Sequence, residues 1–215
     1  MDRRIQRLRG QPLKIIVGSS NTKQEKWIST EKIFFDLTSS KSIHNFVGKS
    51  KISNILAEHV IEHLTVSQFS KFLEIIPQFL LPDSIIRIAV PDALHPSPWY
   101  REQKGINGLE PGAEDHKTFW SYAALTDLCH AHDFQTTLLE WFDQYGDFRQ
   151  LAYSDSDGRI YRSVKNNYDG RLAHDHDLRS KLYSNIDDAV LQKLLAAQIT
   201  YTSLIVDLKY SRNGS

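Results

Sequence analysis

Residues 52–92 read ISNILAEHVIEHLTVSQFSKFLEIIPQFLLPDSIIRIAVPD, and the order of elements in this stretch decides the fold. Residues 52–57 form a largely apolar run closed by the polar pair Glu58 and His59. Thr65 then opens a helix. Thr65 and Gln68 have the spacing of a capping box, and Leu64 and Phe69 that of a hydrophobic staple. Phe69, Phe72, Leu73, Ile76 and Leu80 recur with helical periodicity until Pro77 interrupts it. Pro82 and Asp83 make a turn, and residues 85–90 form a β-branched run ended by Pro91 and Asp92. Two near-continuous apolar strands joined by a helix imply a parallel sheet that is covered on both faces.

The same pattern extends in both directions. Residues 13–17 form a buried strand running into Gly18, Ser19, Ser20 and Asn21, and residues 27–30 a second short strand followed by Glu31. Beyond the central unit lie a long loop at 96–111, a helix at 122–131, a strand at 136–142, a helix at 187–197 and a strand at 202–208. The expected fold class is α/β, a doubly wound, mostly parallel sheet with an antiparallel terminal strand pair. The expected organisation is an N-terminal arm at 1–12, one domain at 13–209 with an irregular insertion at about 153–185, and a C-terminal tail at 210–215. In such a sheet ligands sit beyond the carboxyl ends of the strands. That singles out Gly18, Ser19, Glu31, Glu58, His59 and Asp92.

Composition narrows the function. Lysine plus arginine equals aspartate plus glutamate, 26 against 26, so the chain has no general attraction for nucleic acid or an anionic membrane. Cys129 is the sole cysteine, so no intramolecular disulfide and no cysteine-rich zinc site can form. The chain starts without the apolar run of a signal peptide, and no stretch approaches the roughly 20 apolar residues of a membrane span. These features point to a reducing, cytoplasmic setting.

The order of pieces resembles the class I S-adenosylmethionine-dependent methyltransferases. The sharpest runs are Ala57-Glu58-His59-Val60-Ile61-Glu62-His63-Leu64 and Arg87-Ile88-Ala89-Val90-Pro91-Asp92. These are similar to a bacterial group of methyltransferases associated with surface polysaccharide synthesis. Asp115-His116-Lys117, Leu139-Glu140-Trp141, Gly146-Asp147-Phe148, Arg162-Ser163 and the run from Thr202 to Asp207 continue the likeness. It implies a Rossmann-like methyltransferase fold, S-adenosylmethionine as cofactor and a small or carbohydrate acceptor. One departure is that Gly18 stands almost alone, with Ser19 and Ser20 where such loops carry further glycines. Another is Asp133 at a helix end where glycine is usual; aspartate tolerates left-handed geometry.

Methyl transfer from a sulfonium requires a donor site, an aligned acceptor and, for a hydroxyl acceptor, a proton-accepting group. The resemblance places Gly18 and Ser19 under the donor and Glu31 on its ribose, with Asp36 and Glu58 nearby. Each has a plainer reading: Gly18 as a turn glycine, Glu31 as a surface acid, Asp36 as a cap. The candidate catalytic residues are His59, Asp92 and His116. An unperturbed imidazole titrates near neutrality, so His59 could serve as a base, but it also shares a helical spacing with Glu62 and His63. Asp92 could instead cap the turn after its strand, and His116 could sit in a surface turn. No metal is expected: His59-Val60-Ile61-Glu62-His63 is not the zinc-protease pattern, and His174-Asp175-His176-Asp177 reads as a solvated loop. Two alternatives remain at the level of sequence. One is a binding protein of this fold without chemistry; the other is a hydrolase or isomerase using Glu58, His59 and Asp92.

Overall fold

The computed structural model describes residues 11–20, 22–166, 176–196 and 202–211. In chain order the elements are β1 (Leu13–Val17), β2 (Ile28–Ser29), α1 (Ser40–Val47), β3 (Ile52–Glu58), α2 (Val66–Ile75), β4 (Leu80–Val90), α3 (Pro98–Lys104), α4 (Tyr122–His130), β5 (Phe134–Phe142), β6 (Phe148–Gln150), α5 (His176–Leu182), α6 (Asp188–Ala196) and β7 (Leu204–Tyr210). One sheet runs β2-β1-β3-β4-β7-β5-β6. Strands β2, β1, β3 and β4 are parallel neighbours. Strand β7 lies antiparallel between β4 and β5, and β6 folds back on β5. The α/β sheet and its antiparallel β5–β7 pair are those the sequence led us to expect. Most of the N-terminal arm, most of the C-terminal tail and residues 167–175 of the insertion, with His174 and Asp175, lie outside the described residues.

The apolar runs are continuous because both faces of the central strands are buried. Ile15, Val17, Ile55, Ala57, Ile88, Val90, Leu204 and Val206 face one side, against Ile43 and Val47 of α1, Phe69, Phe72 and Leu73 of α2, and Leu125 and Cys129 of α4. Their alternates Ile16, Leu56, Ala89 and Ile205 face the other side, with Leu139, Ile160, Trp27 and Tyr153. The period of two that assigns these residues to faces follows from the pleat.

Local signals explain where elements begin and end. Thr65 and Gln68 form the expected capping box, with Gln68 N donating to Thr65 Oγ1 at 3.2 Å and Thr65 N to Gln68 Oε1 at 2.9 Å. Pro77 ends α2 as a short 3-10 turn at Ile76–Phe79. Strand β4 starts five residues earlier than the apolar run suggests. Asp83 adopts φ +60, and the register jumps from Ile52↔Leu80 to Asn54↔Ile85, so the Pro82–Asp83 turn becomes a bulge inside the strand. Asp133 adopts φ +62 after α4, the left-handed cap its residue type tolerates. Helices α1, α3 and α5 were not foreseen; α5 lies within the insertion expected to be irregular. Helices α1 and α3 are short, and each is started by a serine cap, Ser39 and Ser97.

Two buried charged side chains hold residues 153–165 onto the second sheet face. Arg87, 1% exposed, makes a bidentate pair with Asp207 at 2.7 Å and donates from Nη1 to Ser154 O and Gly158 O at 2.6 Å. Glu140 is fully buried, and a register shift between Leu138 and Glu140 turns it to the same side. It accepts from Tyr153 Oη (2.8 Å), Thr202 Oγ1 (2.9 Å), Val164 N (2.9 Å) and Lys165 N (3.3 Å). A carboxylate is an acceptor at both oxygens, so it suits four converging donors. Glu140→Gln places an amide NH2 against some of them, and we expect it to cost about 1–3 kcal/mol in urea unfolding. An unchanged midpoint would show that these bonds are not what fixes the segment.

Candidate functional site

In the order β2-β1-β3-β4 the chain leaves β1 to one side for β2 and then crosses to the other side for β3. The switch point therefore lies between the carboxyl ends of β1 and β3, where such sheets place ligands. A cavity of about 330 Å3 opens there, within the range of about 300–1,000 Å3 usual for small-molecule sites. It is bordered by Gly18, Phe35, Asp36, His59, Val60 and His63, with the charged groups Lys32, Asp115 and Lys117 at its edge.

Gly18 is needed where it stands. Its φ is +54, and a Cβ there would meet Val60 Cγ2 at 2.8 Å, so the loop passes the cavity by exposing bare backbone. Ser20 adopts φ +47 without being glycine. Ser19 is buried and donates from Oγ to Glu31 Oε1 at 3.0 Å. Glu31 is exposed and does not border the cavity. Asp36 borders it, and its Oδ1 also caps a turn by accepting from Thr38 N (2.9 Å) and Thr38 Oγ1 (2.8 Å).

His59 follows β3 in the left-handed region at φ +55, a conformation that is costly for a non-glycine residue and is enriched at functional sites. Its backbone N donates to Ala89 O at 2.8 Å. Its Nε2 lies 3.0 Å from Ser203 Oγ. Ser203 Oγ donates its only proton to Arg162 O at 2.9 Å, so Nε2–H must be the donor to serine and Nδ1 carries the lone pair. That Nδ1 lies 3.0 Å from Glu62 Oε1. Burial, then the Arg162 cation, holds His59 well below the ordinary imidazole range, so the ring is neutral at physiological pH. Neighbouring Glu58 accepts Arg162 N at Oε1 (2.7 Å), which joins the end of β3 to the insertion.

A second cavity of about 160 Å3 adjoins the first and shares His59 and His63 with it. Its border includes Glu62, Lys104, His116 and Arg162. His116 is buried, and its Nδ1 lies 2.9 Å from Lys104 O. A carbonyl can only accept, so Nδ1 carries the proton and Nε2 the lone pair. His63 Nδ1 lies 2.6 Å from Asp115 Oδ1. The His63 and His116 rings meet edge to face, with centroids 4.8 Å apart. Glu62 is 1% exposed, and neither of its oxygens has a hydrogen-bond partner among the described residues. Burial pushes its carboxyl up to about 7.

The structure thus brings Gly18, Asp36 and His59 to one cavity and His59 and His116 to the next. Asp92 borders neither. It is fully buried and accepts Leu94 N at Oδ1 and Phe142 N at Oδ2, both at 2.8 Å. Sequence reasoning named Glu62, Ser203 and Arg162 inside motif runs without giving Glu62 or Ser203 a site role, and passed over Lys104. Glu62 stood inside the quoted run, yet spacing could not show that the loop after α3 returns His116 to it. Of the histidine-aspartate string, Asp177 pairs with Lys181 at 2.7 Å on the surface of α5.

No protein-family model matches the sequence, and no curated protein does. Among solved structures, the fold is similar to a SAM-dependent methyltransferase from Archaeoglobus fulgidus, at 10% identity, 96% of this chain, 88% of that chain and a TM-score of 0.44. It is also similar to LepI in complex with SAM, at 13% identity over 65% of this chain and a TM-score of 0.39, where it spans 36% of the LepI chain. A third likeness is to Haemonchus contortus phosphoethanolamine N-methyltransferase 2 in complex with S-adenosyl-L-methionine, at 8% identity, 96% of this chain, 51% of that chain and a TM-score of 0.40. Among the described residues no helix is long and apolar enough to cross a membrane.

Proposed function

We propose that the chain is an S-adenosylmethionine-dependent methyltransferase acting on a small hydroxyl-bearing acceptor, with a carbohydrate of surface polysaccharide synthesis as the acceptor the sequence resemblance favours. The observation that carries this reading is the cavity at the β1/β3 switch point, where Gly18 at φ +54 presents bare backbone. That cradle fits a donor whose polar end must approach the main chain closely. Gly18 and Asp36, which border the cavity, would hold the donor, with Ser19 supporting the loop through its bond to Glu31. Glu31, kept beside the loop by Ser19, would reach its ribose, and Glu58 would brace the strand end next to it. When bound, the donor supplies an electrophilic methyl group on a sulfonium.

The acceptor side is the smaller cavity. His59 and His116 are the groups there that can take the hydroxyl proton. His116 offers an Nε2 lone pair because Lys104 O holds its Nδ1 proton. Lys104, paired with Glu110, and Arg162 border the same cavity beside Glu62, so it offers groups of both signs to a polar acceptor. Asp92 acts at a distance by fixing the backbone that follows β4.

The test is isothermal titration with S-adenosylmethionine, repeated on Gly18→Ala. A Cβ at φ +54 costs roughly 1–2 kcal/mol in backbone strain and must also displace Val60. We expect the wild-type protein to bind and the variant to bind about tenfold or more weakly. No heat of binding with the wild-type protein would remove the methyltransferase reading. Equal affinities would remove Gly18 from the donor site.

A further inference from the structure

We propose that Glu62, His63 and His116, at the border of the smaller cavity, bind a divalent first-row transition-metal ion. One ligand atom from each lies within 4.8 Å of the other two, so modest side-chain rotations bring all three to the roughly 2.0–2.2 Å bonds such ions make.

Three further observations make this a built site and not a chance cluster. First, Glu62 borders the smaller cavity and is almost completely buried, yet neither oxygen has a hydrogen-bond partner among the described residues. A buried carboxyl left in this way is costly, and a cation supplies what is missing. Second, both imidazoles are oriented through one nitrogen. His116 Nδ1 is held by Lys104 O at 2.9 Å and His63 Nδ1 by Asp115 Oδ1 at 2.6 Å. Metal-binding histidines are oriented in this way, with a carbonyl or carboxylate holding one nitrogen while the other ligates. Third, Ser203 fixes His59 so that its Nδ1 lone pair faces Glu62 Oε1 at 3.0 Å. A lone pair and an ionised carboxylate at that distance repel, so either a proton on Glu62 or a metal ion must lie with them.

The donor set of two imidazoles and one carboxylate suits Zn2+, Co2+, Fe2+ or Mn2+ better than Mg2+ or Ca2+, which prefer oxygen ligands. Three protein ligands leave coordination positions open toward the cavity, where oxygen atoms of a small molecule could bind. The site can be measured with no donor present, and because an ion would take the His116 Nε2 lone pair, a metal-loaded protein would leave the proton-accepting role to another group.

The experiment titrates untagged protein, stripped with chelator and dialysed, with Co2+ followed by visible d–d absorption and with Zn2+ followed by calorimetry. The wild-type protein should bind one equivalent of each. Glu62→Gln keeps the side-chain shape and His116→Ala removes an imidazole; each should lower affinity by about 100-fold or more. Asp115→Asn, which disturbs only the group orienting His63, should lower it by about 10–100-fold. Circular dichroism of each variant without metal checks that it is folded. Absence of stoichiometric binding to the wild-type protein overturns the proposal. So does a folded Glu62→Gln variant that binds as tightly as the wild type. Metal binding without binding of S-adenosylmethionine would leave this site standing and remove only the methyltransferase reading.

Discussion

Arg87→Met should lower the unfolding free energy by about 3–5 kcal/mol, the range for removing one partner of a buried ion pair. The guanidinium is 1% exposed and makes four hydrogen bonds at 2.6–2.7 Å, two to Asp207 and two to the carbonyls of Ser154 and Gly158. It also lies over the Tyr153 ring, 4.9 Å from the centroid. Methionine fills most of the volume but leaves the Asp207 carboxylate and both carbonyls without their donor. Arg87 and Asp207 are register partners on β4 and β7, so the pair stitches the sheet at the point where the chain direction reverses. The double variant Arg87→Met with Asp207→Leu separates the two effects. It removes the stranded charge but not the two stranded carbonyls, so we expect it to recover only part of the loss. Urea denaturation of all three proteins is the measurement. A loss below about 1 kcal/mol for Arg87→Met would show that water replaces the guanidinium, and that the segment at 153–165 is held by its apolar contacts alone.

That segment shows why part of the molecule was legible in the sequence and part was not. The strands announce themselves because Ile15, Ile16, Leu56, Ile88 and Ile205 are apolar on both faces, and period and composition report burial directly. The helix after Thr65 was legible because its cap is written in four consecutive residues. The cover of the second sheet face has no such period. Residues 153–165 pack on that face through Ile160 and Tyr153, beside it through Val164, and by bonds to two charged side chains on other elements. Arg87 and Glu140 read as ordinary strand polar residues until their partners are known. Gly158 adds a contact no pattern reports: its missing Cβ lets the chain come close to Leu56 and Trp27.

The candidate site divides in the same way. Residues at strand ends were found because the fold rule names those positions, and Gly18 and His59 both reach the cavity. The rule gives position and not direction. Ser19 follows β1 as Gly18 does, yet it turns inward to hold Glu31. Glu62 lies past the strand end in a short 3-10 turn at Ile61–His63, where neither strand nor helix spacing says which way a side chain points. Its role depends on His116, which returns through a loop whose backbone pairs Lys117 N and Thr118 N with Glu62 O at 2.8 and 3.1 Å.

Asp92 illustrates the gap most fully and yields the second large expected effect. It ends β4 at a ligand-binding position, but its carboxyl is buried against two backbone amides, Leu94 N and Phe142 N. Burial pushes it up from the ordinary value of 3.8 to about 7, and the two amides only partly oppose this. A carboxyl with a folded-state value above its unfolded one binds more protons in the folded protein between those two values. Stability therefore falls as pH rises from about 4 to about 7 and levels off above that. Three units correspond to a change on the order of 4 kcal/mol. Asp92→Asn removes this titration and sets an amide NH2 against one backbone N–H, a penalty of about 1–3 kcal/mol that does not vary with pH. Between pH 5 and pH 8 the wild type should thus lose about 2–3 kcal/mol relative to the variant, enough to erase or reverse its advantage at the upper end. Glu62 is raised in the same direction and His59 is lowered, but both titrate in both proteins and cancel in the difference. Urea midpoints at pH 5, 6, 7 and 8 are the measurement. Parallel curves for the two proteins would mean that Asp92 stays ionised throughout, its two amides outweighing its burial.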